Sequence, residues 1–387
     1  MTDPRLHALA RRLVAPLRTG DALSGDGLAG DSTSGDPVLR SIDSDLAVEY
    51  AFVHGDATAH VEVVPREGAR ARRVHTQHFA VGHRGGTMAP AQALALCECI
   101  ARRIAVNEDA ALAELAATAG VDDRIREVTG GHALVRGPGE PLHYTSSPYR
   151  GCTIGCRFCY AQSRLQPLCA LLGQAAVPWG SWGDAHVDMP AVLAEQLERL
   201  PPLPIKVCPI VADPYQPLER TARITRPCLE AIAACARPWS VLVLTRAHAI
   251  LDDLPLLAGL PRAWVGVSLP TVDDGVRRHF EPRAASVAER LDVLRRFADA
   301  GLATFAVVQP MLPGDVDALA DALRITTAGV ATGALEGEEQ AGPLFDAHPE
   351  ARAAAWQRER LARLHAALGA RGIGVWTGEL PRSELRA

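Results

Sequence analysis

The chain has no long hydrophobic run. No apolar stretch approaches the ~18 residues that a membrane span needs, so the sequence predicts no membrane contact. A continuous apolar segment near the start is missing as well. "DPRLHALARRLVAPL" (residues 3–17) sets apolar residues at helical spacing among arginines, which reads as a surface helix opening at Asp3–Pro4 and not as an export signal. Nor is there an excess of positive charge. The formal net charge over 387 residues is −5, which gives no general attraction to nucleic acid and leaves only a local basic patch as a contact. The nine cysteines do not make a disulfide framework either: the number is odd, the chain is large, and no export signal accompanies them. A reducing, cytoplasmic setting is the expectation.

What is present divides the chain into five stretches. Residues 1–18 read as the N-terminal helix, and 19–37, "TGDALSGDGLAGDSTSGDP", as a Gly/Ser/Asp-rich flexible linker. Residues 38–135 predict a small α+β domain. It contains a hairpin around "HGDA" within "LAVEYAFVHGDATAHVEVVP", then two helices at about 89–106 and 108–119. Between them, 66–84 gathers Arg66, Arg70, Arg72, Arg73, His75, His78, His83 and Arg84, a basic face that either meets solvent or touches phosphates.

From about 136 to 340 short β runs alternate with helices: 141–146, 205–212, 240–245, 263–269, 303–310 and 329–335. Ser286 and Glu289 make a capping box with Gly301 at the far end of that helix, and Thr225 with Pro227 opens another. Six β–α units with apolar, β-branched strands predict an α/β fold with a parallel sheet curled into a partial, TIM-like (β/α)6 barrel. Chemistry in such folds sits at the C-terminal ends of the strands. Residues 341–387 read as a C-terminal helical extension.

The densest signal follows the first of these strands. "SPYRGCTIGCRFCYAQ" (147–162) places Cys152, Cys156 and Cys159 within eight residues. Thiolates are soft ligands that select zinc or iron–sulfur clusters. A structural zinc site wants four ligands, commonly from two paired motifs, and no second cysteine pair is present. His143 is the one neighbour able to complete a Cys3His set. A four-iron cluster held by three cysteines keeps one iron open to a small molecule, as catalytic zinc keeps an open position. The remaining cysteines (Cys97, Cys99, Cys169, Cys228 and Cys235) lie on helical stretches and read as core.

The C-x3-C-x2-C spacing, with Phe158 before the last cysteine and Tyr160 after it, resembles the signature of the radical S-adenosylmethionine (SAM) superfamily. "ADPYQPLERTARITRPCLEAI" and "VGVSLPTVDDGVRRHFEPRAASVAERLDVLRRFADAG" extend the resemblance to the spore photoproduct lyase-like subgroup over residues ~140–335. The resemblance implies a [4Fe-4S] cluster on Cys152, Cys156 and Cys159 whose open iron chelates S-adenosylmethionine. One-electron cleavage of the cofactor then yields a 5′-deoxyadenosyl radical that abstracts hydrogen from a substrate. It further implies Phe158 near the adenine, Asp213 at the end of the second strand accepting from the cofactor amine, and a flavodoxin- or ferredoxin-type reductant as partner. Arg246 stands where the subgroup usually has lysine, and its fork suits a carboxylate. Ser268 and Gln309, at the ends of the fourth and fifth strands, are further cofactor-binding candidates. Tyr215 and Glu219 are candidates for supporting them.

The subgroup's namesake uses a strand cysteine as hydrogen donor where this chain has Ile210. Cys208, two residues earlier, would share its face in an extended strand and is the candidate catalytic thiol, with core packing as the alternative. Three functions stay open: a radical SAM enzyme on an unidentified substrate, a DNA photoproduct lyase using the 66–84 segment, and a non-catalytic zinc- or cluster-binding module.

Overall fold

The predicted hairpin is the first feature the computed structural model bears out. It describes residues 38–44, 48–54, 56–65, 74–118, 125–137, 141–162, 165, 178–208, 210–335, 345 and 348–376. The expected helix at 1–18 and linker at 19–37 lie outside them, as do Cys169 and the arginines at 66, 70, 72 and 73. Strand β2 (Val48–His54) runs antiparallel to β3 (Ala57–Pro65), with His54 facing Ala57 across the turn. With β1 (Val38–Ser44), β4 (Val74–His75) and β5 (Phe79–Gly86) they form an antiparallel sheet ordered β1-β2-β3-β5-β4. Ala59, Val61 and Val63 alternate into its core, as the period of a half-buried strand requires.

A single helix, Pro90–Thr118, follows where two were expected. The expected break falls at Asn107, a poor helix former, but its side-chain amide donates to the Arg103 carbonyl one turn back at 3.0 Å. The next residue, Glu108, is buried and holds the turn before β5. It accepts from the Thr76 hydroxyl at 2.7 Å and from the Gln77 and His78 backbone at 3.1 and 3.2 Å. Cys97 and Cys99 are both buried in this helix. The sheet and this helix form one compact unit.

The second unit is built on parallel strands. Strand β6 (Ile125–Val128), which precedes the boundary expected at 135, pairs in parallel with β10 (Gly183–His186), whose other edge takes β9 (Tyr149–Arg150) antiparallel, in a small sheet. The main sheet begins with β7 (Val135–Arg136) and β8 (Tyr144–Ser146) and continues through β11 (Ile205–Val207), β12 (Val241–Thr245), β13 (Ala263–Ser268), β14 (Ala303–Val308), β15 (Gly329–Thr332) and β16 (Val375–Trp376). Its order is β16-β15-β14-β13-β12-β11-β8-β7, parallel throughout except for β7. All six anticipated strands are therefore present, neighbours in sequence order. The expected helical extension supplies a helix (Ala354–Ala370) and a seventh parallel strand, β16.

Burial on both faces explains the uninterrupted apolar runs of β12 to β14. Gly266 in β13 belongs to that packing: a Cβ there would strike the Phe305 ring, which fills the space with Leu242 and Trp264. The capping box at Ser286 and Glu289 forms, and Gly301 ends that helix at φ +84°. The other predicted helix start differs. Thr225 lies inside its helix (Thr225–Ala234), its hydroxyl donates to the Pro214 carbonyl, and the free N–H groups of Ile224 and Thr225 are met by the Glu219 carboxylate at 3.1 Å.

Candidate iron–sulfur centre

The parallel strands bring several of the predicted residues to one end of the sheet. Arg246 directly follows β12, Ser268 ends β13, Gln309 follows β14, and Cys208 follows β11. The cysteine loop leaves the same end, after β8 and the short β9. It turns twice through left-handed glycines, Gly151 (φ +77°) and Gly155 (φ +70°), positions that resist any side chain. Between them Gln216, fully buried, acts as a brace. Its Oε1 accepts from the Thr153 N–H at 2.6 Å and the Thr153 hydroxyl at 3.0 Å, and its Nε2 donates to the Gly151 carbonyl at 3.1 Å. Further along, Arg157 N–H donates to the Phe280 carbonyl at 2.8 Å and the Trp179 indole to the Cys156 carbonyl at 3.1 Å. Arg283 reaches the Thr153 and Gly180 carbonyls. The loop backbone is thus held from several sides by protein groups.

The three sulfurs perturb one another: Cys152 feels Cys159, and Cys156 feels both. The backbone N–H groups of Asp213 and Ile154 point at the Cys152 sulfur. Burial pushes all three thiols up. Cys152 is raised to about 12, with the Asp213 charge adding to the effect; Cys156 and Cys159 also rise, partly offset by the Arg246 cation. A bound metal reverses that balance by taking the thiolate form. Among the described residues no three His, Cys, Asp or Glu side chains converge tightly enough to hold a single ion. His143 is not grouped with the cysteines: its Nδ1 donates to the Pro141 carbonyl at 2.9 Å, and its other ring nitrogen, Nε2, lies against Gly137. Two buried thiols and one half-buried thiol on one pinned loop, with no fourth ligand grouped beside them among the described residues, fit a cluster with an open iron better than a closed mononuclear site.

Arg246 lies beside this loop. Its guanidinium carbon is 5.7 Å from the centre of the Phe158 ring, and its Nε donates to Glu281 at 2.8 Å. Burial alone would weaken its hold on the proton, but Cys156, Glu281, Asp213 and Cys159 together raise its pKa. Phe158 is buried against Arg246 and, at 6.4 Å between ring centres, Phe280, which in turn meets Phe345 at 4.8 Å.

Asp213 is placed differently from the expectation. Strand β11 ends at Val207, so Asp213 sits in the following loop. Its carboxylate accepts from Tyr215 N–H at 2.9 Å, the Thr245 hydroxyl at 2.6 Å and the Arg246 N–H at 2.8 Å. Burial raises its pKa, and these donors oppose the rise. The same early strand end overturns the premise offered for Cys208. Ile210 N–H donates back to the Cys208 carbonyl at 2.8 Å, so the chain turns at once and the pair are not alternate residues of an extended strand. Cys208 is buried at the strand end. Gln309 donates to the Ala334 carbonyl at 3.3 Å. The buried Ser268 offers its carbonyl to Arg290 at 2.7 Å.

The two supporting candidates are both engaged. Tyr215 donates to Asp253 at 2.8 Å, and Tyr149 donates to Glu219. Sequence reasoning missed Gln216, Glu281 and Arg290. For Glu281 and Arg290 the only local sign was a Glu and an Arg nine residues apart flanking a capping box, and nothing in that spacing announces a buried pair.

The chain is similar to several known proteins. Residues 146–324 match the family described as "Radical SAM superfamily". An uncharacterised protein of Methanocaldococcus jannaschii is 25% identical over 175 residues, covering 45% of this chain and 62% of that protein. A radical SAM Nα-GlyT isomerase of Pseudomonas phage M6 is 26% identical over 176 residues, covering 44% of this chain and 34% of that protein. The chain thus spans less than two thirds of either relative. Among solved structures, spore photoproduct lyase complexed with dinucleoside spore photoproduct aligns at 16% identity with a TM-score of 0.47, covering 65% of this chain and 81% of that one. Residues 146–324 thus form a radical SAM domain, of the superfamily whose members bind a [4Fe-4S] cluster and S-adenosylmethionine.

Proposed function

We propose that this chain is a radical SAM enzyme of the spore photoproduct lyase-like subgroup, acting on a substrate still to be identified, with the parallel sheet curved as an open, TIM-like barrel. The observation that carries the reading is the three-thiol loop at the C-terminal strand ends, two of its thiols buried and the third half-buried, with the Arg246 cation against its Phe158 ring. On this reading Cys152, Cys156 and Cys159 hold the cluster. When bound, the cluster and S-adenosylmethionine together supply one-electron reductive cleavage of the sulfonium and, through it, hydrogen abstraction from the substrate.

The chain's own side chains bind and orient. Arg246 offers a cation for the cofactor carboxylate, a charge-assisted hydrogen bond stronger than a neutral one. Phe158 supplies an apolar wall, and Ser268 and Gln309 line the neighbouring strand ends. Asp213 fixes the Arg246 backbone and the β12 end through two of its three donors. Cys208, buried just past the end of β11, stays a candidate thiol for returning a hydrogen atom to a substrate radical, with core packing as the alternative. A flavodoxin- or ferredoxin-type protein supplies the electron, in the cytoplasm. No described helix is long and apolar enough to cross a membrane.

The test is anaerobic reconstitution of the full chain with iron and sulfide, followed by absorption and electron paramagnetic resonance spectra and an assay for 5′-deoxyadenosine. The wild type is expected to hold four irons and cleave the cofactor, and Cys156→Ala to do neither, because two thiolates do not define a four-iron site. Full iron content and cleavage in Cys156→Ala would refute the assignment.

A further inference from the structure

Glu281 lies outside the cysteine motif and outside every strand end. It follows the helix Asp274–Phe280 and is fully buried. Its two oxygens are divided between two arginines: Oε1 accepts from Arg246 Nε at 2.8 Å and Oε2 from Arg290 Nη2 at 2.6 Å. Arg290 is itself fully buried and donates to the Ser268 and Ala285 carbonyls at 2.7 and 3.0 Å. The Arg246 carbonyl in turn accepts from Ala285 N–H at 2.9 Å. One anion therefore serves two cations, so these three side chains together carry a formal charge of +1, while the buried Asp213 carboxylate, bonded to the Arg246 backbone, also acts on that cation.

A buried ion pair is by itself weak evidence of a stabilising role. What sets this group apart is the direction of its surplus charge. Arg246 leans on the ring of Phe158, which lies between Cys156 and Cys159 in the loop. The helix carrying Glu281 is also tied to the cysteine loop through the Phe280 carbonyl and Arg157 N–H. Glu281 is thereby fixed relative to the loop as well as to Arg246.

We propose that Glu281 is a positioning residue that holds Arg246 against the Cys156–Cys159 side of the cluster, and that the charge of the Glu281–Arg246–Arg290 group sets how readily the cluster accepts its electron. The proposal rests on the cluster reading above. Reduction takes one electron from the external reductant and converts [4Fe-4S]2+ to [4Fe-4S]+, adding one negative charge and no proton. A fixed cation nearby favours the reduced form, and outer partners of this kind tune cluster potentials. Glu281 withholds part of that cationic field.

Three variants separate charge from shape. Glu281→Gln keeps the shape and loses the anion, so the cluster midpoint potential should rise. Arg246→Gln removes the nearer, partly exposed cation, so the midpoint should fall. Glu281→Asp keeps the charge but is one methylene shorter; its midpoint should stay near the wild-type value while S-adenosylmethionine binds about tenfold more weakly, the loss of roughly one hydrogen bond's net contribution.

The measurement is a dye-mediated dithionite titration of reconstituted full-length protein without S-adenosylmethionine, followed by the resonance signal of the reduced cluster. Opposite shifts in Glu281→Gln and Arg246→Gln support the proposal. Wild-type midpoints in iron-loaded variants overturn it, since a merely structural role would lower the melting temperature and leave the potential of the loaded fraction unmoved. If Glu281→Gln fails to fold, the Arg246→Gln midpoint and the Glu281→Asp cofactor affinity decide, and wild-type values in both overturn the proposal. A wild-type protein that takes up no four-iron cluster would instead overturn the cluster reading itself.

Discussion

Gln216→Ala tests whether the cysteine loop is built before the metal arrives. The Gln216 side chain makes three hydrogen bonds to two residues of the loop: two from Thr153 to Oε1, at 2.6 and 3.0 Å, and one from Nε2 to the Gly151 carbonyl at 3.1 Å. Truncation strands the Thr153 N–H and the Gly151 carbonyl. A buried polar group left unmatched costs about 1–3 kcal/mol, but Thr153 is half-buried and water can enter the space vacated by the amide. The net loss is therefore about 2–4 kcal/mol, concentrated in the loop between Gly151 and Gly155. At 1.4 kcal/mol per tenfold, iron retention against a chelator should fall by roughly one to three orders of magnitude. The assay pairs chelator-driven iron loss with hydrogen exchange of the apoprotein, where amides 151–156 should exchange faster while β12 to β14 stay protected. Unchanged iron loss together with unchanged loop exchange would show that the loop does not depend on this brace.

Two further substitutions address the cofactor and the substrate. Arg246→Ala should weaken S-adenosylmethionine binding by roughly ten- to hundredfold with the cluster intact, as expected for a lost charge-assisted bond. Arg246→Lys should recover much of that loss, and an unchanged dissociation constant in the alanine variant would remove Arg246 from the cofactor site. Cys208→Ala should still yield 5′-deoxyadenosine but alter or lose the substrate-derived product if the thiol returns hydrogen. Cys208→Ser nearly keeps the volume, but its stronger O–H bond makes it a poor donor and should reproduce the change. Wild-type products in both variants, with only about 1 kcal/mol of lost stability, would assign Cys208 to packing.

What the sequence made legible was whatever is encoded locally. The six strands announce themselves because they are short apolar runs between helical stretches, and the capping box at Ser286 forms as written. The strands β7 and β16 were illegible because two residues carry no period; both exist only as additions to strands already present. The merging of two expected helices turned on Asn107 and Glu108, whose side chains bond to the preceding helical turn and to the turn before β5. At the candidate site, the cysteine motif and Arg246 could be read because each follows a strand. Gln216, Glu281 and Arg290 could not. Their partners are 63, 35 and 22 residues away in sequence, and only the folded chain brings them together.

Asp213 shows why a motif position and a role can part company. A carboxylate offers about four lone-pair sites, and the chain fills three of them with Tyr215 N–H, Thr245 Oγ1 and Arg246 N–H. Two of these donors belong to the end of β12 and the third to the turn containing Gln216, so one buried anion ties the loop after β11 to the strand end carrying Arg246. Its own backbone N–H points at the Cys152 sulfur. A ligand amine would have at most one lone pair left and would have to compete in a site where burial already works against the charge. The residue is thus better suited to fixing the positions of Cys152 and Arg246 relative to each other than to gripping a ligand. The carboxylate that faces Arg246 side chain to side chain is Glu281, one of the residues no motif marked.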